Sequence, residues 1–391
     1  MAAGLMASVS GGWSSIVRRR RYWSMFGIFA IVLFFGYSLF ILNTEYDRVS
    51  KIINFLKPNK NSDNNNNSNN NEEVHLDPFI EQLQAKYKPT LHRIDNSTFI
   101  TREGYKYTVN DTNHYFTEPL GKRLLILDAD SRLETEPGHM LAPPPLTHED
   151  IKRGTAGMMN HFLYAMIHGY DYRLVKSPKD PNRHGTWSKV SLIREALKTH
   201  DFVVFLDSDA NFQYYNLPYE WLMNLWGVNG DTLAAMPEDP NSKVNQDSNG
   251  WVLWNTGFVT AQQSERTQDM FNRWDNCPSG ERYKECKHWA YDWAHEQAAF
   301  GAFVRYEYEV GKDLIAISCM DGNGASYIGD KKCGGVFVSH HWGDKDRTIK
   351  QLYDRLDGHS VEDLHRHFHE NQDKYYVNAE KYTYPIKDIT I

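Results

Sequence analysis

Hydrophobic and polar positions alternate in three distinct ways along the chain. From 22 to 42 there is no charged residue, and the stretch reads YWSMFGIFAIVLFFGYSLFIL. At about 1.5 Å of rise per residue, a helix of this length crosses about 30 Å, the thickness of one hydrocarbon core. Residues 59–71 are mostly Asn and Ser, a composition that cannot bury apolar surface and suits a flexible tether. From near Gly121 short apolar runs begin to alternate with helical spacing. Residues 123–127 (RLLIL), 171–175 (DYRLV) and 202–206 (FVVFL) read as buried strands. Between them, one helix runs towards His168 with Met158, Phe162 and Met166 on one face and Thr147 and Asp150 as capping residues. A second covers 188–199, with Val190, Ile193 and Leu197 aligned. Further strands are expected near 232–236, 252–260 and 336–339, and an aromatic-rich helix over about 287–303. Strand–helix–strand alternation at this spacing predicts βαβ units, hence an α/β fold with a mostly parallel central sheet.

The flanks of the apolar stretch orient it. Arg18, Arg19, Arg20 and Arg21 precede it, whereas 43–50 holds Glu45, Asp47 and a single Arg. The positive-inside rule puts the N-terminus in the cytosol and the rest across the membrane. A cleaved signal peptide would have a shorter apolar region followed by an A-x-A-like site, and none follows, which favours an uncleaved signal anchor. The expected organisation is a cytosolic tail over 1–21, an anchor over 22–42, a luminal stem over 43–115 and a catalytic body over 116–391. Sequons at Asn66, Asn96 and Asn110 fall in the stem. All four cysteines lie downstream, at 277, 286, 319 and 333. In an oxidising lumen at least one disulfide is expected, and the sequence-local pairs Cys277–Cys286 and Cys319–Cys333 close the shortest loops. A net charge of −7 argues against broad attraction to nucleic acid, and a mean hydropathy of −0.62 excludes a polytopic membrane protein. An aromatic share of 14%, with 11 Trp and 23 Tyr, suits stacking on sugars and bases.

The sharpest chemical feature is Asp207-Ser208-Asp209, which directly follows FVVFL. Ligands of open α/β sheets bind beyond the carboxyl ends of strands, and paired acids there can hold a divalent cation against a diphosphate. A second pair, Asp128-Ala129-Asp130, also follows an apolar strand. Ser131 and Arg132 after it do not fit a phosphatase nucleophile motif; Asp128 and Asp130 are instead expected either near a nucleotide or in a plain turn. The run VFVSHHWGDK over 336–345 delivers His340, His341 and Lys345 to one loop. An imidazole there can complete a carboxylate metal site, and Lys345 can meet a diphosphate. Lys189 is the functional candidate of its helix. Trp251, Trp254, Trp289 and Trp293 can stack on sugars or serve as core and rim. His365, His367 and His369 are read as the solvated face of a charged helix.

Several segments together carry a family resemblance. They are Asn160-His161 through His168-Gly169-Tyr170-Asp171, Trp187-Ser188-Lys189 through Ile193-Arg194, Leu206-Asp207-Ser208-Asp209-Ala210, Asn255-Thr256-Gly257, Glu296-Gln297, and His340 with Gly343 and Lys345. Over roughly 120–350 the chain resembles glycosyltransferase family 34, the fungal galactosyltransferase and mannan-polymerase-subunit type related to xyloglucan xylosyltransferases. It departs in having His295 before Glu296, where two acids are usual, and a shorter run before Asp207. The resemblance implies a GT-A fold, Mn²⁺ as cofactor, a nucleotide-sugar donor such as GDP-mannose or UDP-galactose, and a glycan acceptor such as an N-glycan or mannan. It implies retention of anomeric configuration and a single-pass type II protein of the Golgi membrane. Asp207, Asp209 and His340 would then hold the metal. Asp128, Lys189, Asn255 and Lys345 would serve the donor with them, and Glu296 and Gln297 would face the reacting sugar. The other reading is a non-catalytic subunit that binds glycan or partner glycosyltransferases in a complex.

The topology has a direct check. In sealed microsomes the body is expected to resist protease until detergent is added, and digestion without detergent would reverse the orientation.

Overall fold

Leu124, Leu125, Ile126 and Leu127 are all fully buried, which requires a strand covered on both faces. In the computed structural model they open one of the eleven strands found among the described residues. The structure describes residues 77–324, 332–356 and 358–382. The apolar stretch 22–42, the Asn-rich tether and Asn66 lie outside the described residues. Among those described, no helix is long and apolar enough to cross a membrane. The strands are β1 Thr98–Ile100, β2 Lys106–Thr108, β3 Leu124–Asp130, β4 Asp171–Lys176, β5 Phe202–Leu206, β6 Ala210–Phe212, β7 Ala234–Pro237, β8 Phe258–Gln262, β9 Leu314–Ile317, β10 Val338–His340 and β11 Tyr376–Asn378. Seven of them form the central sheet in the order β11-β4-β3-β5-β8-β7-β9. The pairs β11–β4, β4–β3, β3–β5 and β7–β9 are parallel, and β8 alone runs antiparallel to its neighbours β5 and β7. This is an α/β fold on a mixed, mostly parallel sheet.

The helices that matter for the site are α1 Pro78–Tyr87, α2 Arg153–His168, α3 Ser188–Ala196, α4 Tyr219–Trp226, α5 Glu265–Asp275 and α6 His295–Ala302. Helix α2 is buried almost throughout and ends where Gly169 takes φ 71°, the left-handed cap that glycine adopts without strain. The expected Thr147–Asp150 cap is not its start. The Thr147 hydroxyl bonds the Asp150 amide and carboxylate in a turn just upstream, and the N-cap residue, Lys152, has no side-chain bond. The single helix expected over 287–303 is two pieces, a 3-10 stretch Lys284–Ala290 and α6. The positive φ of His295, 54°, is incompatible with a helix running through it.

The folded body also begins earlier than its apolar pattern suggested. Ile80 of α1, Phe99 of β1, Val109 and Phe116 are buried in the main core, so 77–115 packs on the body instead of serving as stem. Asn96 and Asn110 stay exposed. Both sequence-local disulfides are present, Cys277–Cys286 and Cys319–Cys333, with Cα–Cα distances of 5.6 and 4.5 Å.

His365 and His367 do not form a solvated face. They lie on a helix over Gly358–Glu370, here α7, whose Val361, Leu364 and Phe368 are fully buried. Helical periodicity turns His365 to the same side, where it is 0% exposed and its Nε2 meets the Met140 carbonyl at 3.2 Å. His367 stacks on Phe79 at 5.2 Å between ring centroids.

Burial pushes the His365 pKa down to about 4. The unfolded chain, with an ordinary imidazole near 6.5, therefore binds the proton first on acidification, and stability is lost as pH falls from about 6.5 to about 4. His365→Gln keeps a donor for Met140 but cannot titrate. Urea unfolding at pH 8 and pH 5 is expected to show the wild type losing about 2 kcal/mol more than this variant.

Candidate active site

A β-strand that ends in acids places their carboxylates where the sheet opens to solvent, and β5 does this with Asp207 and Asp209. The turn is pinned from three sides. The Asp207 amide donates to the Gly257 carbonyl at 2.7 Å, and the Ala210 amide donates back to the Asp207 carbonyl at 2.8 Å. Helix α2 presses on the turn through Gly157, where an added Cβ would lie 2.0 Å from the Ser208 carbonyl oxygen. Beyond the turn, β6 pairs antiparallel with β10 in the register His340↔Ala210, and the His341 amide donates to the Asp209 carbonyl at 2.8 Å. This ladder carries His340 to Asp209, with Nε2 at 3.2 Å from Oδ1. His341 instead meets Gln351 at 3.0 Å, so of the two histidines it is His340 that faces the acidic pair.

Asp207, Asp209 and His340 each offer a ligand atom, all within 4.8 Å of one another. They line a cavity of about 870 Å³ together with Lys189, Asn255, Glu296, Gln297 and Lys345. The set fits a divalent cation. Carboxylate oxygens and an imidazole suit Mn²⁺, and the buried His340 Nδ1 has no hydrogen-bond partner. Burial opposes charge on His340, yet Asp209 outweighs it and lifts the imidazole pKa above its ordinary value. Burial likewise opposes the Asp209 carboxylate, and His340 and Lys345 together hold it well below the usual range. The carboxylates of the pocket floor are thus matched by positive charge. Lys345 Nζ lies 2.6 Å from Asp209 Oδ2 on a half-exposed side chain at the mouth.

Lys189, on α3, is the buried counter-charge. Its ammonium reaches Asp207 Oδ1 at 2.9 Å, Glu296 Oε1 at 3.2 Å and the Thr256 carbonyl at 3.2 Å. Burial works against that charge, but the two carboxylates raise its pKa above the ordinary value. Burial would also raise the Glu296 pKa, and Lys189 brings it below normal instead, so the carboxylate stays ionised. The segment 255–257 closes the arrangement. Thr256 donates its hydroxyl to Glu296 at 2.9 Å and its amide to Gln297 Oε1 at 3.3 Å, while Asn255 Oδ1 accepts from the Gly257 amide at 2.9 Å.

Asp128 is not part of this cavity. Strand alternation turns it to the α2 side of the sheet, where its carboxylate accepts from Tyr172 at 2.8 Å and meets His161 Nδ1 at 2.8 Å. His161 Nε2 in turn lies 2.9 Å from the Ala210 carbonyl, so Asp128 supports the acidic turn from beneath. Ala129, Asp130 and Arg132 line the cavity in its place, with Arg132 clamped on Asp130 at 2.8 and 2.9 Å. Trp293 and Trp342 border the cavity and are exposed, whereas Trp254 is buried core. Sequence reasoning passed over Asp239 and His184, and named Thr256 and Gly257 only within the Asn255-Thr256-Gly257 segment; all four line the cavity. Asp239 carried a readable signal, an acid just after an apolar strand.

Residues 173–351 match the family model described as nucleotide-diphospho-sugar transferase. Xyloglucan 6-xylosyltransferase 1 of Arabidopsis thaliana is 26% identical over 136 residues, which cover 32% of this chain and 26% of that protein. The matched stretch therefore spans well under half the length of this relative. A crystal structure of a glycosyltransferase involved in the glycosylation of the major capsid of PBCV-1 aligns with 13% identity and a TM-score of 0.43, covering 59% of this chain and 98% of the other.

Gly257 has no room for a side chain. A Cβ there would lie 2.3 Å from His340 Cε1 and 3.0 Å from Asp207 Oδ2. Gly257→Ala is expected to push these ligands apart and weaken Mn²⁺ binding at least about tenfold, while overpacking costs about 1–3 kcal/mol of stability. Calorimetric titration with Mn²⁺ and a melting curve check both parts.

Proposed function

Because residues 173–351 belong to the nucleotide-diphospho-sugar transferase family, we propose that the chain is a Mn²⁺-dependent glycosyltransferase with a GT-A-type catalytic domain. It moves a hexose, mannose from GDP-mannose or galactose from UDP-galactose, onto a glycan in the Golgi lumen, with retention of configuration. One observation carries the reading. Asp207, Asp209 and His340 converge within 4.8 Å on the floor of a cavity whose other charged residues include Lys189, Lys345 and Arg132. A cavity of about 870 Å³ has room for a nucleotide sugar.

The chain's own residues divide the task. Asp207, Asp209 and His340 would hold Mn²⁺, which when bound neutralises charge on the departing diphosphate. Lys345 is long, half exposed and paired only at its tip, so it can exchange Asp209 for a phosphate oxygen. Lys189 keeps Glu296 ionised and fixes Asp207 beside it, so that their positions are set before substrate arrives. Glu296, already engaged by Lys189 and Thr256, is assigned a positioning part and no covalent one. The family resemblance supports retention, and the product anomer read by NMR tests it.

Donor hydrolysis by the purified protein with Mn²⁺, screened over GDP-mannose, UDP-galactose and UDP-xylose, tests the reading. One donor is expected to turn over. Glycan binding without hydrolysis of any donor would favour a non-catalytic subunit. Asp209→Asn removes one negative charge and little packing. It is expected to cost about a hundredfold or more in transfer rate and also to lower the metal-free melting temperature, because His340 and Lys345 lose the buried carboxylate they face. Asp130→Asn should cost far less. The opposite ranking would place the chemistry on the wrong strand.

A further inference from the structure

Asp239 is a buried carboxylate for which the metal site has no use. It follows β7, is 7% exposed and lines the same cavity. Three side-chain amides hold it. Asn255 and Asn323 donate to Oδ1 at 2.9 and 3.0 Å, and Gln297 donates to Oδ2 at 2.6 Å. A carboxylate has about four acceptor positions, and these amides fill three of them. All three donors are neutral. Burying a carboxylate without a cation is costly, and a purely structural clamp for amide groups needs only neutral acceptors.

The location narrows what the remaining acceptor position meets. Asn255 binds Asp239 through Nδ2, and its Oδ1 sits 2.9 Å from the point where a Gly257 Cβ would lie, itself 2.3 Å from His340. One side chain therefore separates Asp239 from the cation-binding group. A diphosphate held there has its sugar attached directly to it, so the sugar must lie against the wall next to that group. Phosphate oxygens are repelled by an uncompensated carboxylate, whereas a sugar hydroxyl can donate to it. The cavity is divided accordingly, with Lys345 and Arg132 available to anionic oxygens and Asp239 to hydroxyl donors.

We propose that Asp239 accepts a hydroxyl of the transferred sugar and is a specificity-determining residue of the donor subsite. This rests on the transferase reading above. Gln297 and Asn255 then have a defined part. Each has its amide nitrogen on Asp239 and its oxygen on a backbone amide of 256 or 257, so they tie the sugar-binding carboxylate to the loop that touches the metal ligands.

The test uses calorimetry in Mn²⁺ with UDP, GDP, the nucleotide sugar that the wild type binds most tightly, and that sugar's monodeoxy derivatives. Asp239→Asn alone turns an amide towards Gln297 Nε2 and is expected to lower the melting temperature. The exchange variant Asp239→Asn/Gln297→Glu restores a donor–acceptor match at every link and is expected to melt near wild type. In the wild type, one monodeoxy derivative is expected to bind about 10- to 100-fold more weakly than the parent, the worth of a hydrogen bond to a buried charge. The exchange variant should bind the nucleoside diphosphate within about threefold of wild type, lose a similar factor on the parent sugar nucleotide, and no longer distinguish that deoxy derivative. Persistent discrimination at the same hydroxyl in the variant overturns the proposal. So does an equal loss for the nucleoside diphosphate and every sugar nucleotide, the mark of a structural clamp. A wild type that discriminates at no hydroxyl overturns it without any variant. Failure of the wild type to bind any nucleotide sugar removes the transferase reading and this assignment together.

Discussion

Asp207 and Glu296 come from distant parts of the chain, yet both reach the same buried ammonium, Lys189, at 2.9 and 3.2 Å. Burial alone would push the Glu296 carboxyl towards its protonated form, and the Lys189 charge reverses this. With it, Glu296 stays ionised, and three elements are locked: the turn after β5, the loop at 255–257 and the first turn of α6. Removing one partner of a buried ion pair costs about 3–5 kcal/mol because the remaining charge is left uncompensated. The site is therefore assembled by charge before any ligand enters. Asp209, His340 and Lys345 then sit as a second, more open set of opposite charges beside it.

The topology supplies the rest. Strand β8 runs antiparallel between β5 and β7, which brings Gly257 to Asp207 and Asn255 to Asp239. The short β6–β10 ladder brings His340 onto Asp209, although the two are far apart in sequence. Beneath them, α2 holds the acidic turn through the close approach at Gly157 and through His161, which bridges Asp128 and the Ala210 carbonyl. A plain turn of the same sequence without these supports would leave the two carboxylates free to separate.

Much of this could be read from the sequence because strong local patterns coincide with the tertiary arrangement. FVVFL followed by Asp207 and Asp209, and VFVSHHWGDK with His340 and Lys345, each combine an apolar strand with an abrupt polar exit, so strand and site are written in the same few residues. The nearest cysteines also proved to be the pairs. Asp128 was misread because RLLIL looks complete at Leu127, whereas pairing with β4 carries β3 on to Asp130. One further residue of strand is enough to decide which face a side chain takes. The break before α6 depends on the positive φ of His295, which apolar spacing does not encode. His365 and His367 looked solvated because charged neighbours surround them in sequence. Only the packing of α7 against Phe79 and the core shows which face of that helix is buried. Asp239 was passed over because its amide partners come from three separate segments.

The metal set itself can be examined by pulsed EPR of the wild-type protein loaded with Mn²⁺. The expected spectrum shows one Mn²⁺ per chain with nitrogen coupling from a single imidazole, lost in His340→Ala and retained in His341→Ala. A wild-type spectrum without nitrogen coupling, or coupling that survives His340→Ala, would contradict the assignment of Asp207, Asp209 and His340 as one metal site.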